Sequence, residues 1–348
     1  MFANKIIAWY EEHKRTFPWR NISDPYRIWV SEIILQQTRT VQGHDYYLRF
    51  LEAFPDVQAL ASASEDEVLR VWQGLGYYSR ARNMHAAAQQ IVAEGGFPTT
   101  YEGVLALKGV GEYTAAAVCS FAYHLPCAVV DGNVYRVLSR YFGVDTPIDT
   151  PQGHRAFAEL AATLLPKEGG LAAEYNQGLM DFGALQCMPK SPVCADCPLN
   201  SSCSALQSGS VDTLPIKQHR VKSRQRHFVY VKVVSAGKVW IERRTKKDIW
   251  KGLYQYHLQE YDHSPSLSEV QSDDFFVPFR SKGTWRALRL NVKHVLTHQL
   301  LLTDFYELKL DEDVVPPSGY MAVAEADIED YAFPQLYYKA GILTRTFS

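Results

Sequence analysis

The chain has 348 residues, 47% apolar and 21% charged, which is long enough for two domains and too apolar for a disordered tail. No apolar run reaches the roughly 18 residues needed to cross a bilayer. The start, MFANKIIAWYEEHKR, enters an acid-bearing helical pattern and not a signal or transit peptide, so a cytoplasmic monomer with no membrane partner is expected. Lys+Arg 36 against Asp+Glu 38 gives a net charge of −2, which as a bulk property argues against a nucleic-acid partner.

Residues 1–205 read as a mainly α domain. Ile28 to Leu35 is a nearly continuous apolar helix broken by Ser31 and Glu32. An acid in that setting is either an exposed helix position or a buried carboxyl with a raised pKa. Ser64 and Glu67 form a capping box ahead of Val68, Leu69, Val71 and Trp72, with Gly74 and Gly76 as the stop. Thr99 and Glu102 are read as a second box, opening a short helix to Leu107. The hairpin Lys108-Gly109-Val110-Gly111 follows, then an alanine-rich helix from Glu112 to Tyr123. Two glycines allow a tight turn and leave first-turn N–H groups of the next helix unpaired, donors that suit a phosphate oxygen. Asp131 heads a further helix, where it serves as an N-cap or as a carboxylate kept ionised by the helix dipole.

Four of the six cysteines, Cys187, Cys194, Cys197 and Cys203, fall within seventeen residues. Cys119 and Cys127 lie in apolar surroundings and read as buried thiols. The tight group points to a metal site, and its single Cys-x-x-Cys pair leaves iron–sulfur and zinc both open. Residues 206–226 form a polar linker with a basic run, Lys217, Arg220, Lys222, Arg224 and Arg226. Beyond it, HFVYVKVV, KVWIERR, LYQYHL and WRALRLNVKHVLTHQLLLTDFYELKL read as strands, with a helical tail near Asp327 to Ile342. A smaller α+β domain over 227–348 is therefore expected.

The hairpin, Asp131 about twenty residues on, and the four-cysteine loop together resemble the helix-hairpin-helix DNA glycosylases of the endonuclease III superfamily. That resemblance implies a [4Fe–4S] cluster on the four cysteines and an Asp131 that stabilises an oxocarbenium ion. Superfamily members that also cut the backbone carry a lysine two residues after the second hairpin glycine. Here that residue is Tyr113, which cannot form an imine, so a monofunctional enzyme using water is implied. The segment Trp29-Val30-Ser31-Glu32-Ile33-Ile34-Leu35-Gln36-Gln37-Thr38 narrows the resemblance to the adenine DNA glycosylases, the MutY family. In that family the glutamate protonates adenine N7, which makes Glu32 the general acid.

The same resemblance makes Arg15, Trp19 and Arg20, in RTFPWR, pocket residues. It gives Gln37, beside Thr38, the gap left by the extruded adenine. It gives Tyr77, in Gly74-Leu75-Gly76-Tyr77-Tyr78-Ser79-Arg80, a wedge role beside the opposing lesion, and makes Leu75 of the same segment a DNA contact. Lys108, Gly109 and Gly111 would hold phosphate. The second domain resembles the MutT-like (Nudix) domain that reads 8-oxoguanine, with Arg243-Arg244 and Trp250 to Tyr254 fitting its first strands. Residues 255–275 lack the Arg-Glu and Glu-Glu pairs of the hydrolase box, which implies a reader without pyrophosphatase activity. Its Phe-Ser-His loop corresponds to Leu296-Thr297-His298, where Thr297 keeps the hydroxyl and His298 the imidazole, while Leu296 cannot stack as phenylalanine would.

The implied partner is duplex DNA carrying an 8-oxoguanine:adenine mispair. The alternatives are an endonuclease III-like glycosylase acting on another base, a Nudix hydrolase, and a DNA-binding protein without base release. Split at residue 225, the charges are 20 basic against 22 acidic, then 16 against 16. Attraction to phosphate must therefore be local, at Arg20, Lys108, Lys190 and the linker, and strongly salt-sensitive. Seven acids in 311–330, with no Lys or Arg among them, would face away.

Overall fold

The computed structural model describes residues 2–166, 170–219, 223–279 and 281–344. They divide into two compact units, one formed by residues 1–62 and 83–220 and the other by 63–82 and 221–348. Among the described residues no helix is long and apolar enough to cross a membrane.

The first unit is helical: α1 (Phe2–His13), α2 (Pro25–Leu35), α3 (Thr40–Ala53) and α4 (Val57–Ser62) precede the interruption. In chain order α5 (Glu65–Val71) belongs to the second unit, and the first resumes within α6 (Ser79–Ala93). It continues through α7 (Tyr101–Leu105), α8 (Glu112–Tyr123), α9 (Gly132–Phe142), α10 (Pro151–Leu164), α11 (Ala172–Leu185) and α12 (Ser204–Gln207). In α6 the buried positions Met84, Ala87, Ala88 and Ile91 follow the i, i+3, i+4, i+7 rule for one apolar face. Helix α2 is buried nearly all round, and the alanines of α8 let the two helices approach closely. A separate core joins Ile6, Val137, Phe157, Leu179 and Phe182 from α1, α9, α10 and α11.

Two sequence readings shift here. The cap of α7 is Thr100, whose hydroxyl accepts from the Gly103 N–H at 3.2 Å, and not Thr99. The early part of the expected linker is docked and not loose: Arg140 Nε donates to the Leu214 carbonyl at 3.2 Å. Asp149 accepts the N–H groups of Gln218 and His219 at 2.8 Å each. Arg220 and Lys222 lie outside the described residues.

The second unit is built on a seven-stranded mixed sheet: β1 (Arg224–Ser235), β2 (Lys238–Arg243), β3 (Tyr254–Gln255), β4 (His257–Tyr261), β5 (Gly283–Val295), β6 (Gln299–Leu310) and β7 (Tyr320–Ala324). The order is β3-β2-β1-β6-β5, with β4 on β1 and β7 on β2; β1 and β6 run parallel and every other pair is antiparallel. The apolar FVYVKVV run of β1 fits a strand buried on both faces. Phe228, Tyr230 and Phe305 pack on Leu336 and Tyr337 of a short helix, Gln335–Lys339. Val229, Val231 and Leu308 pack on Phe276 and Phe279.

The segment 63–82, expected in the first domain, is held in this unit by long-range polar contacts. Arg243 Nη2 lies 2.8 Å from Glu65 and 2.9 Å from Asp66; Tyr254 donates to Asp66 at 3.0 Å, and Gln73 to the Phe333 carbonyl at 3.3 Å. Strand β1 begins at Arg224, so the last three residues of the expected linker, 224–226, belong to it. Arg226 is buried between Asp248 (2.9 Å) and Glu260 (2.6 Å), so it is no free phosphate contact.

Candidate active site

Glu32 is carried into the interior by α2, whose start is fixed by Pro25 in its first turn and by Asp24, which accepts from the Tyr26 N–H at 2.9 Å. Glu32 is 6% exposed. Burial pushes its pKa up to about 7, against a downward pull from the Tyr113 hydrogen bond and from Arg20. Tyr113, in the first turn of α8, donates its hydroxyl to Glu32 Oε2 at 2.5 Å, and burial holds the phenol well above its usual range.

Asp131 is the N-cap of α9. It accepts from the Val134 N–H at 2.7 Å and from Asn133 Nδ2 at 2.8 Å. Burial moves its carboxyl upward, opposed by those hydrogen bonds and by Arg136. The direction is thus opposite to what the helix dipole alone would give. Asn133 is itself held by Arg136, which also donates to the Cys187 carbonyl at 2.7 Å.

These groups line one cavity of about 410 Å³ together with Arg15, Trp19, Arg20, Gln37 and Thr38. Trp19 is buried and stacked on Phe17 at 5.0 Å. Gln37 is exposed just beyond α2, with φ 58. Arg15 and Arg20 both bond Asp181, at 2.5 and 3.1 Å, so Arg20 is a wall residue and not a surface phosphate contact. The wall also includes Asn133, Gln177 and Asp181, which sequence reading passed over. The signal for Asp181 was present: a lone acid among apolar helix residues, the same pattern that singled out Glu32.

The hairpin ahead of α8 turns through Gly109 at φ +75, where a Cβ would sit 2.5 Å from that of Asn83. Gly111 caps α8 without a side-chain bond, leaving first-turn N–H groups for a ligand, and Lys108 is exposed beside them. Further along, the thiols of Cys187, Cys194, Cys197 and Cys203 are free and line a second, small cavity of about 30 Å³. Among the described residues no three His, Cys, Asp or Glu side chains are grouped as ligands of one metal ion. Arg140 Nη1 lies 3.4 Å from Cys187 Sγ. Away from that loop, burial pushes the Cys119 thiol up to about 12; Cys119 is buried and Cys127 partly so.

In the second unit Tyr77 is 47% exposed, with φ 47, a conformation that bulky residues rarely adopt. Its hydroxyl is hydrogen-bonded to Thr297, and Leu75 is buried. Thr297 and His298 form the exposed tip of a two-residue turn between β5 and β6, closed by the Leu296 N–H to the Gln299 carbonyl at 2.8 Å. Leu296 turns inward onto the core, whereas Val295 is 77% exposed.

A hairpin between two helices, an aspartate heading the next helix and a buried acid facing it across a cavity define a helix-hairpin-helix base-excision glycosylase. Residues 30–162 match the family described as HhH-GPD superfamily base excision DNA repair protein, and residues 229–340 match the NUDIX domain. The chain is 33% identical over 257 residues to the adenine DNA glycosylase of Buchnera aphidicola subsp. Schizaphis graminum, covering 73% of this chain and 74% of that protein. It is 40% identical over 230 residues to that of Mus musculus, covering 62% of this chain and 44% of that protein. Among solved structures, a thermostable thymine-DNA glycosylase superposes with a TM-score of 0.55 at 33% identity, over 60% of this chain and 95% of that one. The chain belongs to the adenine DNA glycosylase (MutY) family, hydrolases of base-excision repair that cleave the N-glycosidic bond.

Proposed function

We propose that the protein removes adenine from 8-oxoguanine:adenine mispairs in duplex DNA, as a monofunctional glycosylase acting as a monomer, and leaves an abasic site. The observation that carries this reading is Glu32, buried in the cavity with its pKa raised to about 7 and the Tyr113 hydroxyl bonded to it. A carboxyl poised there is protonated near neutrality and able to protonate the departing base. Asp131, across the same cavity, is placed to support positive charge on the sugar as C1′–N9 breaks, after which water completes hydrolysis. Among the described residues no lysine lines the cavity, which supports hydrolysis over imine formation.

Thr297 and His298 at the exposed turn are the proposed readers of 8-oxoguanine, with Tyr77 as the wedge, Gln37 filling the vacated site, and Lys108, Gly109 and Gly111 on the phosphate. Cys187, Cys194, Cys197 and Cys203 are proposed to hold a [4Fe–4S] cluster; free thiols spaced around a shared cavity suit one thiolate per iron. When bound, the cluster would cross-link the loop through iron–thiolate bonds. Visible absorbance of the purified protein tests it, and a colourless, zinc-containing protein would sink it.

The deciding experiment incubates the protein with a labelled 8-oxoguanine:adenine duplex and then with alkali. A cleaved adenine strand is expected. An intact one, alongside cleavage of a G:T duplex, would favour the alternative raised by the thymine-DNA glycosylase likeness.

A further inference from the structure

The cavity of the first unit holds a carboxylate that the excision chemistry leaves unused. Asp181, on α11, is 0% exposed. It accepts from Arg15 Nε at 3.2 Å and Nη2 at 2.5 Å, and from Arg20 Nη2 at 3.1 Å. Arg20 is fixed further by Nη1 bonds to the Tyr10 hydroxyl at 2.7 Å and to Gln177 at 3.0 Å. All but Tyr10 line the same cavity as Glu32. A guanidinium does not lose its proton in proteins. The wall therefore carries two permanent positive charges beside an acid that must keep its own proton to act.

We infer that Asp181 is a positioning residue, which pins Arg15 and Arg20 against the wall and holds their charge back from Glu32. The groups facing Glu32 are Tyr113 from α8, Asp131 at the head of α9 and Arg20 from the segment ahead of α2. Of these only Arg20 is cationic, and its field draws the Glu32 carboxyl down. With Asp181 neutral, that field loses its counter-charge and the guanidinium loses one of its anchors. Glu32 then gives up its proton at a lower pH, so the general acid is missing where it had been present.

The inference rests on the excision reading only for its kinetic arm. Asp181→Asn removes the charge at nearly constant size. Glu32 is titrated directly by carboxyl ¹³C NMR in DNA-free protein, with Glu32→Gln assigning the resonance. Single-turnover excision of adenine is followed against pH in parallel. Asp181→Asn is expected to lower the Glu32 midpoint by about one pH unit, and to cut excision above neutrality about tenfold while the acid-side plateau is kept. Asp181→Glu should keep the native midpoint, and adding Arg20→Met to Asp181→Asn should restore it. A Glu32 midpoint unmoved in Asp181→Asn, or a loss of rate equal at every pH, would overturn the inference. If Asp181→Asn fails to fold, Arg20→Met decides in its place: a Glu32 midpoint that does not rise when that cation is removed overturns the inference as well. A native protein that releases no base would defeat the excision reading, while the NMR midpoints still judge Asp181.

Discussion

Glu32 acts only while it carries a proton, so its raised pKa sets a pH window. With the carboxyl at about 7, excision should hold up to neutrality and fall about tenfold per pH unit above it. Single-turnover rates across pH check this. Glu32→Gln, which cannot supply the proton, should cost about 10³-fold at pH 7. Undiminished release would remove Glu32 from the mechanism. Tyr113→Phe offers a signed test. The Tyr113 hydrogen bond pulls the Glu32 pKa down, so deleting it should carry the alkaline limb to higher pH. Borohydride should trap no covalent adduct in either protein, since a phenol forms no imine. At this scale the sequence was legible wherever an ionisable residue broke an apolar run, as at Glu32. Asp181 has the same signature, yet its meaning depends on arginines more than 160 residues away. Arg20 was read both as a pocket residue and as a phosphate contact; the counter-ion that favours the first, Asp181, could not be seen locally.

The hairpin is the element whose geometry follows most directly from residue type. Gly109 stands at φ +75 with Asn83 packed against it, so Gly109→Ala should lose about 1–2 kcal/mol from backbone conformation alone, before any clash. Denaturant unfolding measures that loss, and DNA binding should weaken with it. Asn83→Ala keeps the Cβ that lies 2.5 Å away and leaves the dihedral untouched, so the double variant should recover little of the loss. Helix α5 began at its Ser64–Glu67 capping box and α8 directly after Gly111, because capping is a local matter. Thr99 was taken for Thr100 because adjacent threonines offer the same hydroxyl and only the backbone turn chooses between them. The linker was misread at both ends for another reason. Its polar residues are satisfied by distant partners, Asp149 for the early part and Asp248 and Glu260 for Arg226.

For the molecule as a whole, a net charge of −2 leaves DNA binding to a few local cations. The slope of log K against log salt should therefore be modest in contact number yet steep in effect, near −0.9 for each phosphate engaged. Lys108→Ala should reduce its magnitude by about one, read from binding isotherms at several salt concentrations. A slope unchanged by that substitution would place the hairpin off the backbone.

The allocation of residues 63–82 to the second unit bears on how the chain is made. A ribosome delivers α5 and Gln73 early, but the groups that pair them, Arg243, Tyr254 and Phe333, arrive more than 160 residues later. Throughout that interval Glu65, Asp66 and Gln73 wait for the groups that pair them. Such sequence-distant closures form slowly. This stretch should thus be the region most open to proteases and most dependent on chaperones until synthesis reaches the last strands.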